Sequence, residues 1–404
     1  MGVTCSKLCS TEENETEKQI ERSAKDFKNN ILINNDNDNE NDKDNFEKKE
    51  QIIELRKEPS KYELFKEKFE LKLPEFGQHI ESQQFNEKIS ENIQEYMMKT
   101  PFQKPSYIRL NEDLYDIGPI QFNNGNLYKG TWNENIIMDG IGNYYIQEGN
   151  LFIEGIWNNG KSIYGRIFYP NNNIYIGDIK NSSCNGKGKL IFENDNTYEG
   201  DFIDGELEGN GKYTFSDGTT YEGKFIKSDF KGHGVLKWTN GIIFEGDFNG
   251  SSLNNYGKLT GLGEEYEGNF LNNYFNGEGK YIFSDGSIYE GDFESGYKNG
   301  KGKFIKKDSF IYEGSWSNNF PHGFGTFTFN DIIIKGIWRN GINAEISKKD
   351  GDDNEEFNPE MLNFKIPYQN LKPESLPNLN ILNNFKNFGS DLNPSYLNSI
   401  EENK

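Results

Sequence analysis

The residues best placed to do chemistry stand at the start of the chain, MGVTCSKLCS, where Gly2 and Ser6 satisfy the pattern M-G-x-x-x-[ST]. Once Met1 is removed, the Gly2 α-amine can take a myristoyl chain, and Cys5 and Cys9 are positioned for thioester-linked palmitate. One myristoyl chain gives only about 10⁴ M⁻¹ of reversible membrane association, so stable anchoring needs a second acyl chain or a basic patch. Residues 1–30 carry five basic and six acidic side chains, a net of −1, so no basic patch is present and the burden falls on Cys5 and Cys9. The expectation is a peripheral protein at the cytoplasmic face of a plasma or cortical membrane, held by myristate and palmitate.

The other chemical candidates dissolve on inspection. Gly155 to Ser162 reads GIWNNGKS and satisfies G-x-x-x-x-G-K-[ST], but a phosphate cradle needs a helix directly after it. The following residues, SIYGRIFYPNNN, hold β-branched and aromatic side chains, Gly165 and Pro170, and predict strand and turn instead. His79, His233 and His322 are scattered, and three cysteines cannot build a four-ligand zinc site. Asp36, Asp38 and Glu40 alternate as in a calcium loop, but Asn41 stands where that loop requires glycine. The sequence therefore predicts no metal site, no cofactor and no enzyme activity. A cluster at Lys301, Lys303, Lys306 and Lys307 is a candidate for phospholipid headgroups, although residues 121–350 hold 22 basic against 30 acidic side chains.

What must position such residues is read from composition and spacing. Over 404 residues the net charge is −21 with 33% hydrophobic residues, poor for a conventional core, yet aromatics reach 14% and there are 43 glycines. That pairing predicts many short strands and tight turns. The acidity excludes nucleic acid as a partner. Segment by segment, the chain divides into a lipidation segment 1–10, a disordered acidic tether 11–60, amphipathic helices over 61–104, a repeat rod with a lead-in strand over 105–345, and a mostly disordered tail 346–404. The helices are marked by Tyr62, Phe65 and Phe69 before Pro74, and by Phe85, Ile89, Ile93 and Met97 before Pro101.

From Tyr128 the sequence repeats. The block Y-x-G-x-W recurs with lead residues Ile153, Tyr175, Tyr198, Tyr221, Phe244, Tyr266, Tyr289, Tyr312 and Ile334, at intervals of 22 to 25 residues. In TYEGDFIDGELEGNGKYTFSDG, Tyr198, Gly200 and Phe202 share one face of a first strand, and Gly209, Gly211, Tyr213 and Phe215 alternate on a second. Asp204-Gly205 turns the hairpin and Asp217-Gly218 leads into the next unit. Glycine inside a strand costs stability, unless each aromatic ring lies flat over a neighbouring strand's bare backbone. Stacked hairpins at about 4.8 Å per strand then predict a rod roughly 90 Å long.

Y-E-G-x-[WF] followed by G-x-G and D-G resembles the MORN repeat (membrane occupation and recognition nexus) over about residues 128 to 341, with YEGDF at Tyr198 and Tyr289, YEGKF at Tyr221, YEGNF at Tyr266 and YEGSW at Tyr312. The resemblance implies an all-β repeat fold, an elongated twisted single antiparallel sheet of stacked hairpins with short N-terminal helices and disordered acidic flanks. It also implies a scaffold without an attached catalytic domain, and homodimerisation through the rod ends. An aromatic surface for protein partners is expected from Tyr128, Trp132, Trp157, Tyr175, Tyr198, Phe202, Tyr221, Phe225, Phe244, Phe248, Tyr266, Phe270, Tyr289, Phe293, Tyr312, Trp316 and Trp338. The leading function is a membrane-anchored scaffold that recruits proteins. Two alternatives stand beside it: a phospholipid-headgroup module acting through the repeat surface, and a soluble structural component of a ciliary or cytoskeletal complex.

Overall fold

The computed structural model describes residues 59–350 except 251 and 331, with backbone alone over 343–350. Contacts divide the chain into two units, 1–64 and 65–404. In the described part of the first, Ser60 and Glu63 cap the first helix reciprocally: Glu63 Oε2 accepts from Ser60 N at 2.8 Å, and Ser60 Oγ accepts from Glu63 N at 3.3 Å.

The helical segment departs from its sequence pattern in two places. Helix α1 (Lys61–Phe76) runs through Pro74 rather than ending before it; the proline falls in the last turn, so the one backbone bond it removes interrupts only the C-terminal end of the helix. The second expected helix is two, α2 (Ser82–Asn86) and α3 (Glu91–Lys99). Ser90 caps α3, its Oγ accepting from Ile93 N at 3.4 Å. Gln94 Nε2 donates to Asn86 O at 3.0 Å and Ile89 O at 2.7 Å, tying α3 to the chain that leaves α2.

The rest is one 22-stranded sheet. It is an antiparallel meander from Gly77–His79 to Ile342–Asp350, each strand pairing with its neighbours in sequence. Both ends lie outside the expected rod, 105–345. The first strand sits within the helical segment and pairs with Ile120 to Phe122, and the last continues past residue 345, where the tail was expected to have begun.

Each repeat is the expected hairpin. Thr197–Ile203 turns through Asp204 and Gly205, at φ 48° and 88°, into Glu206–Thr214. Two positive φ values in succession make the primed turn that matches strand twist. The second strand is less regular than simple alternation predicts: its register against the first slips between Glu208 and Gly211.

One glycine from every strand between Leu127–Trp132 and Ile332–Arg339 falls in a single cross-strand row, as in Gly188, Gly200, Gly211, Gly223 and Gly234. The sheet's two faces then differ. The inner face carries the continuous hydrophobic core, which Phe65, Phe69 and Leu73 of α1 join at the N-terminal end. On the outer face of the first repeats, Phe85 and Ile89 with Ile93, Tyr96 and Met97 cover Leu127, Phe152 and Phe168. These repeats are buried on both faces, which is why Leu151–Asn158 reads LFIEGIWN, a nearly continuous apolar run.

Candidate functional site

The inner face is built from one repeated contact. A Cβ added at Gly211 would lie 2.4 Å from Tyr198 Cε2, and the same holds within tenths of an ångström for Gly188 under Tyr175 and Gly325 under Tyr312. The ring lies on the glycine backbone, as the spacing predicts. Its hydroxyl then reaches the backbone three residues on: Tyr128, Tyr198, Tyr266 and Tyr289 donate to Thr131, Asp201, Asn269 and Asp292 carbonyls at 2.8 to 2.9 Å. Burial pushes these phenols above their ordinary range, so they remain donors.

Edge-to-face contacts link the rings within and between units. Tyr198 meets Phe202 at 5.1 Å and the next unit's Phe225 at 4.8 Å; Tyr289 meets Phe293 at 5.0 Å and Trp316 at 5.2 Å. This corrects the expected aromatic surface. Tyr128, Trp132, Trp157, Tyr175, Tyr198, Phe202, Tyr221, Phe225, Phe244, Phe248, Tyr266, Phe270, Tyr289, Phe293, Tyr312, Trp316 and Trp338 are all at most 3% exposed. They are core, because each unit's rings are closed over by the next unit's.

The surface left for recognition is the outer face. There, in several repeats, the glutamate of Y-E-G on the first strand stands opposite the lysine before the aromatic on the second strand, as in Glu199 with Lys212, Glu267 with Lys280 and Glu290 with Lys303. Lys189, Glu199, Lys212 and Glu222 are successive register partners, and so are Lys280, Glu290, Lys303 and Glu313. Lys258 bonds Glu265 at 2.7 Å within the same system. Between this ladder and the row holding Asp178 and Lys187, the glycine backbone floors a shallow groove of about 850 Å³, reaching from Tyr164 and Tyr107 at one end to His233 and Val235 at the other. Tyr107 is 72% exposed. The groove can hold an extended segment by charge and shape, with an aromatic wall at one end.

Gly2, Cys5 and Cys9 lie outside the described residues, as do Asp36, Asp38, Glu40 and the segments expected to be disordered, apart from 59–60 and 346–350. Gly155 to Ser162 is a hairpin: Asn159 and Gly160, at φ 48° and 78°, join Leu151–Asn158 to Lys161–Phe168, with no helix to face a phosphate. The four lysines are brought to adjoining positions, but Lys303 pairs with Glu313 at 3.5 Å and Lys306 pairs with Asp285, whose carboxyl it holds down at about 2. His79 meets Glu70 at 2.9 Å and His233 meets Glu245 at 3.5 Å, far apart in the sheet. Among the described residues no group of His, Cys, Asp and Glu is placed to hold a metal. Cys184 is buried, its thiol pushed up to about 12 by desolvation.

Two buried cations escaped the sequence reading. Arg166 pairs with Glu154 and donates to the Thr100 backbone carbonyl, fixing the end of α3 to the outer face. Burial raises the Glu154 carboxyl even so, desolvation outweighing the arginine. Lys298 stands where other repeats place Leu207, Phe230 or Leu253. Its ammonium lies 4.9 to 5.4 Å from the ring centres of Phe283, Phe304, Trp316 and Tyr289. A lysine at a position that is apolar in most of the other repeats was the available signal.

A family model of the MORN repeat matches residues 175–197, 198–220, 221–243, 266–288, 289–309 and 312–331. The units led by Tyr128, Ile153, Phe244 and Ile334 lie outside those matches, yet the glycine row runs through them unbroken. No curated protein matches the chain. Among solved structures, it is similar to the wild-type TCP10 domain of Danio rerio CPAP, in complex with a peptide of Danio rerio STIL, at 13% identity over 52% of this chain and 87% of that one, with a TM-score of 0.29. It is also similar to the TCP10c domain of Drosophila melanogaster Sas-4, at 15% identity over 38% and 91%, with a TM-score of 0.24.

Proposed function

Six MORN repeats lie between residues 175 and 331, and from that premise we propose that this protein is a membrane-anchored scaffold, holding partner proteins at the cytoplasmic face of a membrane. The observation that carries the scaffold reading is the division of labour between the faces. The repeats' lead and Trp/Phe rows are used in the inner core, the outer-face rings Phe152 and Phe168 are covered by helices, and the rest of the outer face offers a groove flanked by a Lys/Glu ladder and ending at Tyr107 and Tyr164. A partner segment with alternating charges and one apolar residue for the tyrosine end fits that surface.

Membrane residence is assigned to the N-terminus. Gly2 takes myristate, and Cys5 and Cys9 supply the second anchor that a single chain lacks. Binding of headgroups by the repeats themselves has less support, because Lys303 and Lys306 already face carboxylates. The repeats supply recognition and the acyl chains supply location.

Two measurements test this. Gly2→Ala and the double change Cys5→Ser with Cys9→Ser are fractionated beside the unaltered protein; a membrane fraction that does not fall in either variant overturns the anchor. Proximity labelling of the intact protein is then compared with Glu199→Lys, Glu222→Lys. Neighbours lost in the charge-reversed protein, while its membrane fraction holds, support recognition through the groove, and an unchanged set of neighbours overturns it.

A further inference from the structure

The outer-face groove has a period of its own, and that period selects the conformation of a segment laid along it. Over the groove the ladder reads Ile176, Lys189, Glu199, Lys212, Glu222 and Val235, one residue per strand and each opposite the next. Adjacent strands lie about 4.8 Å apart, so like charges recur about every 9.6 Å. The four charged side chains are exposed. Among the described residues none of them forms an ion pair, whereas further along the ladder Lys258 pairs with Glu265 at 2.7 Å and Lys303 with Glu313 at 3.5 Å. The opposite wall is less regular: Asp178, Lys187, Asn210 and His233 line it, and Lys187 pairs with Asp201 at 2.5 Å. Three ligand conformations repeat differently along such a groove. A β-strand brings the same side round about every 6.8 Å, and it has nothing to pair with, because each strand beneath is already paired on both sides. An α-helix is about 10 Å across, wider than the roughly 7 Å between walls set two residues apart on each strand. Polyproline II advances about 3.1 Å per residue with three residues per turn, or about 9.3 Å, and its backbone makes no hydrogen bonds of its own that the floor would have to replace. Of the three, it comes round once per repeat.

We infer that the groove takes a proline-rich protein segment in the polyproline II conformation, with one acidic and one basic residue in every three. The assignment rests on the reading of the groove as the recognition surface, and adds the partner's conformation and spacing. Counted from Tyr164, the strands bearing Lys189, Glu199, Lys212 and Glu222 lie two to five spacings along, at roughly 10, 14, 19 and 24 Å. In a segment PPPEPKEPK whose first residue sits at Tyr164, the two acids fall at about 9 and 19 Å and the two lysines at about 16 and 25 Å. Each charge then lies within about 1.5 Å, along the groove, of the opposite charge it meets. With three residues per turn, the acidic and basic columns flank the ladder and the proline column points away from it. The leading prolines lie against Tyr164 and the exposed Tyr107, an aromatic wall of the kind on which proline-rich segments dock.

The test is fluorescence anisotropy of two labelled synthetic peptides titrated with the full chain at about 50 mM salt, where surface charges are weakly screened. PPPEPKEPK carries the period of three, and PPPEEPPKK has the same composition with the period destroyed. The proteins are the unaltered chain, Glu199→Gln with Glu222→Gln, and Tyr107→Ala, all changed at exposed positions. The in-phase peptide is expected to bind the unaltered chain at least about fivefold more tightly than its isomer, the worth of one or two exposed ion pairs. That preference should vanish in the glutamine variant, while Tyr107→Ala should weaken both peptides alike, since both begin with the same three prolines. Equal affinity of the two peptides, no binding of the in-phase one, or a preference that survives the glutamine changes overturns the inference. If the peptides bind alike while Glu199→Lys, Glu222→Lys still loses its neighbours in proximity labelling, recognition through the groove stands and the polyproline period falls.

Discussion

The ring of Tyr198 lies on Gly211 so closely that a Cβ on that glycine would stand 2.4 Å from the ring. The ring has no room to withdraw, since Phe202 and Phe225 meet it edge-on at 5.1 and 4.8 Å. Gly211→Ala is therefore expected to destabilise the protein by about 1–3 kcal/mol, the cost of overpacking a filled core. Gly118→Ala is the control, because a Cβ there meets nothing within 4 Å. Urea denaturation of both variants checks this; equal midpoints would show that the ring yields.

The same tyrosine makes a second contribution through its hydroxyl, which donates to Asp201 O at 2.9 Å. Tyr198→Phe keeps the ring and is expected to cost about 0.5–1.5 kcal/mol, the net worth of a part-buried hydrogen bond. The natural counterpart is Phe244, whose ring lies over Gly257 in the same way without a hydroxyl. Phe244→Tyr is expected to raise the midpoint by a similar or smaller amount. Thermal unfolding of the two single variants against the unaltered chain reads both signs.

How much of this was legible follows from what each feature depends on. The Tyr198–Gly211 contact needs only the repeat period and strand alternation, both printed in the sequence. The burial of Tyr198, Phe202 and their equivalents was misread because a single-layer sheet has an open face on paper; the rings of one unit close over those of the last, and that depends on stacking geometry. The Lys/Glu ladder was spelled in Y-E-G and G-K-[YF], but it needed the register Glu199↔Lys212 to become a surface. The cover over Phe152 and Phe168 had a signal in LFIEGIWN, whose apolar residues occupy both parities.

Arg166 and Glu154 are nearly enclosed, with side chains 5% and 12% exposed, and Arg166 also lies over the rings of Tyr96 and Phe102. Arg166→Met is expected to cost about 3–5 kcal/mol, because it strands a buried carboxylate. It also removes the donor to Thr100, so α3 should exchange its amide hydrogens faster. Arg166→Met with Glu154→Leu should recover much of the loss, since no charge is left unpaired. Hydrogen exchange over 91–100 and thermal unfolding, taken together, distinguish this from a general loss of stability, in which the double variant would fare no better than the single.

Lys298 sets a pH dependence whose sign is fixed by its surroundings. Burial among Phe283, Tyr289, Phe304 and Trp316 lowers its ammonium from 10.5 to about 7, desolvation being the cause. Between those two values the unfolded chain holds a proton that the folded chain does not, so stability rises with pH across that window. Above the upper value the penalty is absent; below the lower one it is complete and constant. Lys298→Leu, the residue found at the equivalent Leu207 and Leu253, removes the titrating group. It is expected to stabilise the protein by a few kcal/mol near pH 7, on the order of 1.4 kcal/mol for each pH step of the window still uncrossed, and by progressively less towards pH 10. Midpoints measured at pH 7, 8.5 and 10 check both size and trend. A stabilisation that stays level across those three values would mean that Lys298 keeps its charge in the aromatic cage, with the rings compensating for lost water.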